Sequence, residues 1–210
     1  GRQWSSVMLK VVPWVVLDFL EQDIPFLYSD TDIYFTQNPI QYFNHVVAES
    51  GWKNTIYSQV DGRVLQEDPT QCDQVYTFSK NKGGGKLCAG FVFFNAKNKE
   101  AKNLVYKWQQ IIWTGGSKFY KNQPSFNEWV LQMQSWKKKE FRVDILECWR
   151  FPNGNRWNER YWGSFWRKWQ KVCPLIVHNN WLKSAVQKKD KFIEWGMWKL
   201  KEGASKKPWK

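Results

Sequence analysis

Residues 26–35 read FLYSDTDIYF, two apolar runs separated by a pair of aspartates one residue apart. Apolar runs of this length suit strands buried in a sheet, where an uncompensated carboxylate is costly and two adjacent ones repel each other. A chain carrying this stretch must therefore end its strand at the pair and bring a positive partner to it. In extended backbone, residues i and i+2 point to one side, so Asp30 and Asp32 can converge on a single object. In open α/β sheets, ligands bind outside the C-terminal ends of strands. A hard divalent cation, Mg²⁺ or Mn²⁺, is the natural partner, because it takes carboxylate oxygens and keeps positions open for phosphate. The simpler alternative is a pair of turn or capping aspartates.

The surrounding pattern gives the fold class. Residues 5–22 have apolar positions at helical spacing and stop before Pro25. PFLYS reads as a buried strand, QNP as a turn, and QYFNHVVAESG as a short helix ended by Gly51. Residues 52–86 read as polar and irregular, with VDGR, EDPTQ and NKGGGK as turn punctuation. LCAGFVFFNA (87–96) is a second buried strand whose interior Gly90 suggests the close approach of a ligand or of other backbone. Helices are expected over 98–113 and 125–136, strands over FRVDIL (141–146) and PLIVHNN (174–180), and a basic helix over 184–195. Strands alternating with helices predict an α/β fold with a mixed, mostly parallel sheet covered by helices. The length of 210 residues fits one domain, expected over 1–200, with a basic solvated tail at 201–210.

Composition narrows the partners. Thirty-two Lys and Arg against nineteen Asp and Glu give a net charge of +13. The charge is spread over clusters such as WKKKE, QKKDK and SKKPWK, with no RNP-type aromatic motif, zinc-finger spacing or recognition-helix pattern. Nucleic acid is therefore not expected as a partner; a diphosphate or an acidic glycan suits the charge equally well. Cys72, Cys88, Cys148 and Cys173 form no C-x-x-C pair, and proximity suggests disulfides Cys72–Cys88 and Cys148–Cys173, with buried free thiols as the alternative. The run VMLKVVPWVVLDFL is interrupted by Lys10, Pro13 and Asp18, so it is neither a membrane span nor a signal peptide. The sixteen Trp, five of them in 149–169, read as packing residues or as a wall for a cleft.

His178 ends the strand PLIVH, where a neutral imidazole can complete a metal site. Asn179 and Asn180 adjoin it, and Lys183, Lys188, Lys189 and Lys191 follow near a helix start, where ammonium groups can neutralise a diphosphate. A buried, hydrogen-bonded ring is the plainer reading of this His. His45 has no such neighbours and reads as structural.

The blocks FLYSDTDIYFTQNP, LCAGFVFF, NQPSFNEWV, RFPNGNRW and VHNNWLKSAVQKKDKFIEWGMW, in that order, resemble the nucleotide-diphospho-sugar transferase domain of eukaryotic Golgi glycosyltransferases related to plant cell-wall xylosyl- and arabinosyltransferases. The resemblance covers roughly residues 7–198. It implies a GT-A-type, Rossmann-like fold and transfer of a sugar from a nucleotide-diphosphate donor, a UDP-sugar, to a glycan or glycoprotein acceptor with retention. It implies Mn²⁺ or Mg²⁺ as cofactor, held by Asp30, Asp32 and His178. Gly90 and Phe91 fall on the strand that backs the donor, and Asn180 and Lys188 on substrate-binding positions. Asn122 and Gln123 fall on the catalytic pair beside the transferring sugar, Gln123 being the candidate for electrostatic support of an oxocarbenium-like transition state. It also implies the Golgi lumen, with a membrane anchor only upstream of this chain. Three positions depart from the pattern: Asn122 replaces an acidic residue, Ser184 replaces a glycine, and the βα units expected before Asp30 are missing, as in an N-terminally incomplete domain. These departures leave open a catalytically inactive relative that binds sugar nucleotide or glycan.

Overall fold

The computed structural model describes residues 2–61, 86–114, 122–135, 141–147, 150–154 and 174–199. The first expected helix runs as α1, Arg2–Glu21, with Pro13 inside it. Its Val16 and Leu20, one turn apart, are fully buried. The chain leaves α1 through Asp23 at φ 57°, a left-handed conformation that aspartate tolerates, and enters β1, Phe26–Ser29. After the aspartate pair come β2, Ile33–Phe35, and α2, Pro39–Glu49. Asn38 caps α2 by accepting a hydrogen bond from the Ile40 amide at 3.0 Å, and Pro39 occupies the first helical turn, where its missing N–H costs nothing. The helix stops at Ser50 and Gly51, the latter at φ 59°.

A strand then appears where the sequence reads as irregular: β3, Ile56–Asp61. Thr55, Ser58 and Gln59 make this stretch look polar, yet all three are buried. Their polar atoms have partners across the fold. The Thr55 hydroxyl accepts from the Arg142 amide, the Ser58 hydroxyl donates to the Cys88 carbonyl, and the Gln59 amide donates to the Phe151 carbonyl. Beyond it come β4, Lys86–Phe94, and the helices α3, Lys99–Thr114, and α4, Asn122–Ser135. Next are β5, Val143–Ile145, and β6, Ile176–His178, and last α5, Ala185–Glu194.

One sheet has the order β1-β4-β3-β5, and a second pairs β2 with β6. The sheet is mixed, as expected, but not mostly parallel. Among the described strands β1–β4, β3–β4 and β2–β6 are antiparallel and only β3–β5 is parallel. Alternation of helices with strands forces parallel neighbours only when consecutive strands adjoin. Here α3 and α4 carry the chain from β4 to β5, which lies beyond β3, while β1 and β3 both run opposite to β4.

The central strand β4 feeds a core on each face. Val92 and Phe94 pack with Leu104, Val105 and Trp108 of α3 and Phe126 of α4. Phe91 and Phe93 pack with Phe43 and Val47 of α2, Tyr57 and Phe151, the rings of Phe43 and Phe93 stacking at 4.6 Å. Each buried phenyl ring is worth roughly 1.5–3 kcal/mol. Helix α4 is tied to the strand by Asn127, whose side chain bonds both the amide and the carbonyl of Leu87 at 2.8 Å.

The β3–β4 ladder breaks at one place. Ser58 pairs with Val92 and Val60 with Leu87, so residues 88–91 together face Gln59. The break changes which face the side chains take: Leu87 and Ala89 share a core with Val92 and Phe94. Cys88 and Gly90 consequently come against His178 on the opposite side. Irregularities of this kind re-aim side chains beside functional sites.

Candidate metal and nucleotide-sugar site

The aspartate pair lies where the chain crosses from one sheet to the other. Asp30 follows the last residue of β1, and its amide donates to the Gly90 carbonyl at 2.7 Å. Asp32 precedes β2, and its carbonyl accepts from the Asn179 amide at 2.9 Å. The β2–β6 register sets Ile33 opposite His178, which brings the imidazole to the two carboxylates. His178 Nε2 is 3.8 Å from Asp30 Oδ2 and 3.3 Å from Asp32 Oδ1. One ligand atom from each of the three residues lies within 4.8 Å of the others.

Each of the three is held from behind by its other polar atom. Tyr28 donates its hydroxyl to Asp30 Oδ1 at 2.8 Å. Lys188, in the first turn of α5, bonds Asp32 Oδ2 at 2.5 Å. His178 Nδ1 meets Gln59 Oε1 at 2.7 Å. Asp30 Oδ2, Asp32 Oδ1 and His178 Nε2 are left facing one another. His178 is almost wholly buried and its Nε2 has no hydrogen-bond partner; Asp32 is close enough to attract it but is not aligned to bond it. A buried, orphaned ring nitrogen between two carboxylates is a donor set that fits a divalent cation.

The electrostatics agree. Burial disfavours the charge on Asp32, but the His178 ring and the Lys188 ammonium outweigh it and hold the carboxyl at about 2. Burial also disfavours a charged His178, and Asp32 and Cys88 more than offset it, lifting the imidazole to about 10. Burial and the neighbouring Asp30 push the Tyr28 phenol well above its usual range, so it remains a donor to that carboxylate. In the ion-free site the His178 ring and the Lys188 ammonium supply the positive charge that compensates Asp32.

Gly90 is the floor of this arrangement. A Cβ placed there would meet Asp30 Oδ2 at 2.3 Å and His178 Cε1 at 2.7 Å. The interior glycine is thus explained by the approach of two side chains to its backbone. Phe91, next to it, is fully enclosed between Phe43 and Phe151 and supports the strand from within the core. Asn180 accepts from the Gly154 amide at 3.1 Å and approaches the Cys88 sulfur at 3.9 Å, bracing the PNG turn against the end of β6.

Other expectations land elsewhere. Gln123 sits in the first turn of α4, on a different element from the acidic pair. The side chain of Asn122 and residues 155–173, which hold most of the Trp-rich stretch, lie outside the described residues, as does the tail. Cys88 is a free, buried thiol 3.6 Å from His178 Nδ1, so the expected Cys72–Cys88 bridge is not formed. The re-aimed strand turns the sulfur inward onto the imidazole. Cys72, Cys148 and Cys173 lie outside the described residues. His45 is exposed on α2 and pairs with Glu49 at 3.1 Å, a structural role as expected. Ser184 is the N-cap of α5. At φ −117° it is extended backbone that needs no glycine, and with Gln187 it forms a capping box. Among the described residues no helix is long and apolar enough to cross a membrane.

The family model described as nucleotide-diphospho-sugar transferase matches residues 1–192. The chain belongs to that family. A UDP-galactose:fucoside alpha-3-galactosyltransferase of Dictyostelium discoideum is 28% identical over 194 residues, 90% of this chain and 28% of that protein. A UDP-D-xylose:L-fucose alpha-1,3-D-xylosyltransferase of Arabidopsis thaliana is 26% identical over 201 residues, 93% of this chain and 51% of that protein. The chain therefore spans about half or less of the length of these relatives. Among solved structures, apo mouse xyloside xylosyltransferase 1 is similar at 13% identity with a TM-score of 0.42, covering 81% of this chain and 63% of that one. The family read from five blocks of sequence is borne out.

Proposed function

We propose that this chain carries the donor site of a metal-dependent glycosyltransferase that transfers a sugar from a UDP-sugar to a glycan or glycoprotein acceptor with retention at the anomeric carbon. The observation that carries the reading is the convergence of Asp30, Asp32 and His178, each pinned by a partner on its far side. These three residues would hold the cation, and two carboxylates with one imidazole suit Mn²⁺ better than Mg²⁺, which prefers an all-oxygen shell. When bound, the cation supplies Lewis-acid neutralisation of the charge that develops on the departing nucleotide diphosphate.

The chain's own residues supply the rest. Lys188 fixes Asp32 and brings a second positive charge to the side of the pair that faces α5. Tyr28 leaves Asp30 a single open oxygen. Gly90 leaves the volume in which Asp30 and His178 meet. Gln123, in this reading, stands beside the transferring sugar. The two curated relatives are both named for UDP-sugar donors and fucose-containing acceptors, which makes a fucoside the first acceptor to try. A Golgi-lumenal location belongs to the same reading and rests on the sequence resemblance alone.

UDP release from a panel of UDP-sugars, with and without an L-fucoside, tests the proposal. Release should require Mn²⁺, stop with chelator, and vanish in Asp32→Asn. The anomeric proton coupling of the product should report retention. Binding of Mn²⁺ and UDP without any turnover would instead establish the non-catalytic relative.

A further inference from the structure

The acidic pair and His178 follow from the sequence motif, but the residue that orients the histidine does not. Gln59 is 1% exposed and lies at the break in the β3–β4 ladder. Both ends of its amide are committed. Its nitrogen donates to the Phe151 carbonyl at 2.8 Å, and its oxygen is 2.7 Å from His178 Nδ1. A backbone carbonyl only accepts, so the amide cannot turn over without setting its oxygen against the Phe151 oxygen. The oxygen therefore faces the imidazole, and an oxygen at that distance requires a proton on Nδ1. The Cys88 sulfur, 3.6 Å from the same nitrogen, is a weaker competitor. With the Nδ1 proton held by Gln59, Nε2, the orphaned atom facing Asp30 and Asp32, is the nitrogen that gives up its proton to present a lone pair when a cation enters.

We propose that Gln59 is a positioning residue that fixes the Nδ1–H tautomer and the ring plane of His178, and so prepares Nε2 as a ligand for a divalent cation. This rests on the metal reading above. Groups that accept a hydrogen bond from the far nitrogen of a metal-binding histidine act in this way, and their loss typically costs about 10–100-fold in metal affinity. The ladder break is the structural device: with four residues of β4 facing Gln59 alone, its side chain can leave the strand pattern and reach across to β6.

The test combines Mn²⁺ titration, followed by electron paramagnetic resonance, with proton–nitrogen correlation spectra of His178. Gln59→Leu should weaken Mn²⁺ by about 10–100-fold in a protein that stays folded. Equal Mn²⁺ affinity in folded Gln59→Leu and wild type would overturn the proposal. The spectra supply evidence that does not depend on how the variants fold. Wild-type protein, with or without a diamagnetic ion such as Mg²⁺, should show a protected low-field Nδ1 proton on His178. Its absence from wild type overturns the Gln59 contact. Wild type that shows this proton yet fails to bind Mn²⁺ keeps the contact but overturns its metal-orienting role together with the metal reading, and Mn²⁺ binding without the proton overturns the Gln59 role alone.

Discussion

Gly90→Ala adds one methyl group at the most crowded point of the site. The new Cβ would lie 2.3 Å from Asp30 Oδ2, 2.9 Å from Asp30 Cγ and 2.7 Å from His178 Cε1, where contacts under 3.0 Å force a shift. The Asp30 oxygen must retreat by at least about 0.7 Å (3.0 − 2.3) and the ring carbon by at least about 0.3 Å (3.0 − 2.7). His178 is enclosed and held by Gln59, whereas the Asp30 side chain is 40% exposed and can rotate toward solvent. Asp30 should therefore yield, breaking its bond from Tyr28 and leaving the cation two protein ligands of three. Because the clash can be relieved outward, the stability loss should fall at the low end for overpacking, about 1 kcal/mol. Misplacement of a reacting group by this distance is worth about 10²-fold in rate. The variant should keep a melting temperature within several degrees of wild type, lose Mn²⁺ affinity by at least tenfold as measured by electron paramagnetic resonance, and lose UDP release by about 10²-fold. A folded Gly90→Ala protein with wild-type Mn²⁺ affinity would refute the assignment of Gly90 as the space in which two ligands meet.

Further outcomes follow from the same geometry. Asp32→Asn removes the charge shared by His178 and Lys188; it should abolish Mn²⁺-dependent UDP release and lower stability by about 2 kcal/mol, between the exposed and buried limits for an ion pair, read by urea unfolding. The pH dependence without ion is set by that cluster. Asp32, lowered from 3.8 to about 2, contributes stability that is present above pH 3.8 and is lost as pH falls toward 2. His178, raised from 6.5 to about 10, contributes stability that is present below pH 6.5 and is lost as pH rises toward 10. These are two sides of one interaction, so the ion-free protein should melt highest between about pH 4 and 6.5, and Mn²⁺ should raise the melting temperature more at pH 9 than at pH 6. Ser184→Ala should cost about 1 kcal/mol through the lost cap of α5, and Ser184→Gly only a few tenths, with no gain in UDP affinity by calorimetry.

Much of the site was legible because its most demanding parts leave local marks. Two aspartates between apolar runs, a glycine inside a strand and a histidine ending one each violate a local preference, and each violation was resolved by the others: Asp30 and His178 crowd Gly90. The residues that hold the ligands from behind were not legible. Gln59 is an ordinary polar position until His178 of β6 arrives from far along the chain, and Tyr28, only two residues before Asp30, reads as an ordinary strand residue. Gln59 also lies in a strand that buried Ser58, with Thr55 just before it, disguised as loop; the β-branched and aromatic Ile56, Tyr57 and Val60 were the available signal. Strand direction was not legible either, since a helix between two strands does not say whether they become neighbours. The expected Cys72–Cys88 bridge failed for a related reason: the two are near in sequence, but the ladder break turns Cys88 inward to His178.

The most direct test of the central claim is a crystal structure of the protein with Mn²⁺ and UDP, collected at the manganese absorption edge. The account predicts one anomalous peak within coordination distance of Asp30 Oδ2, Asp32 Oδ1 and His178 Nε2, with the diphosphate on its open side. An anomalous peak elsewhere, or UDP bound with no ion between the carboxylates, would contradict it.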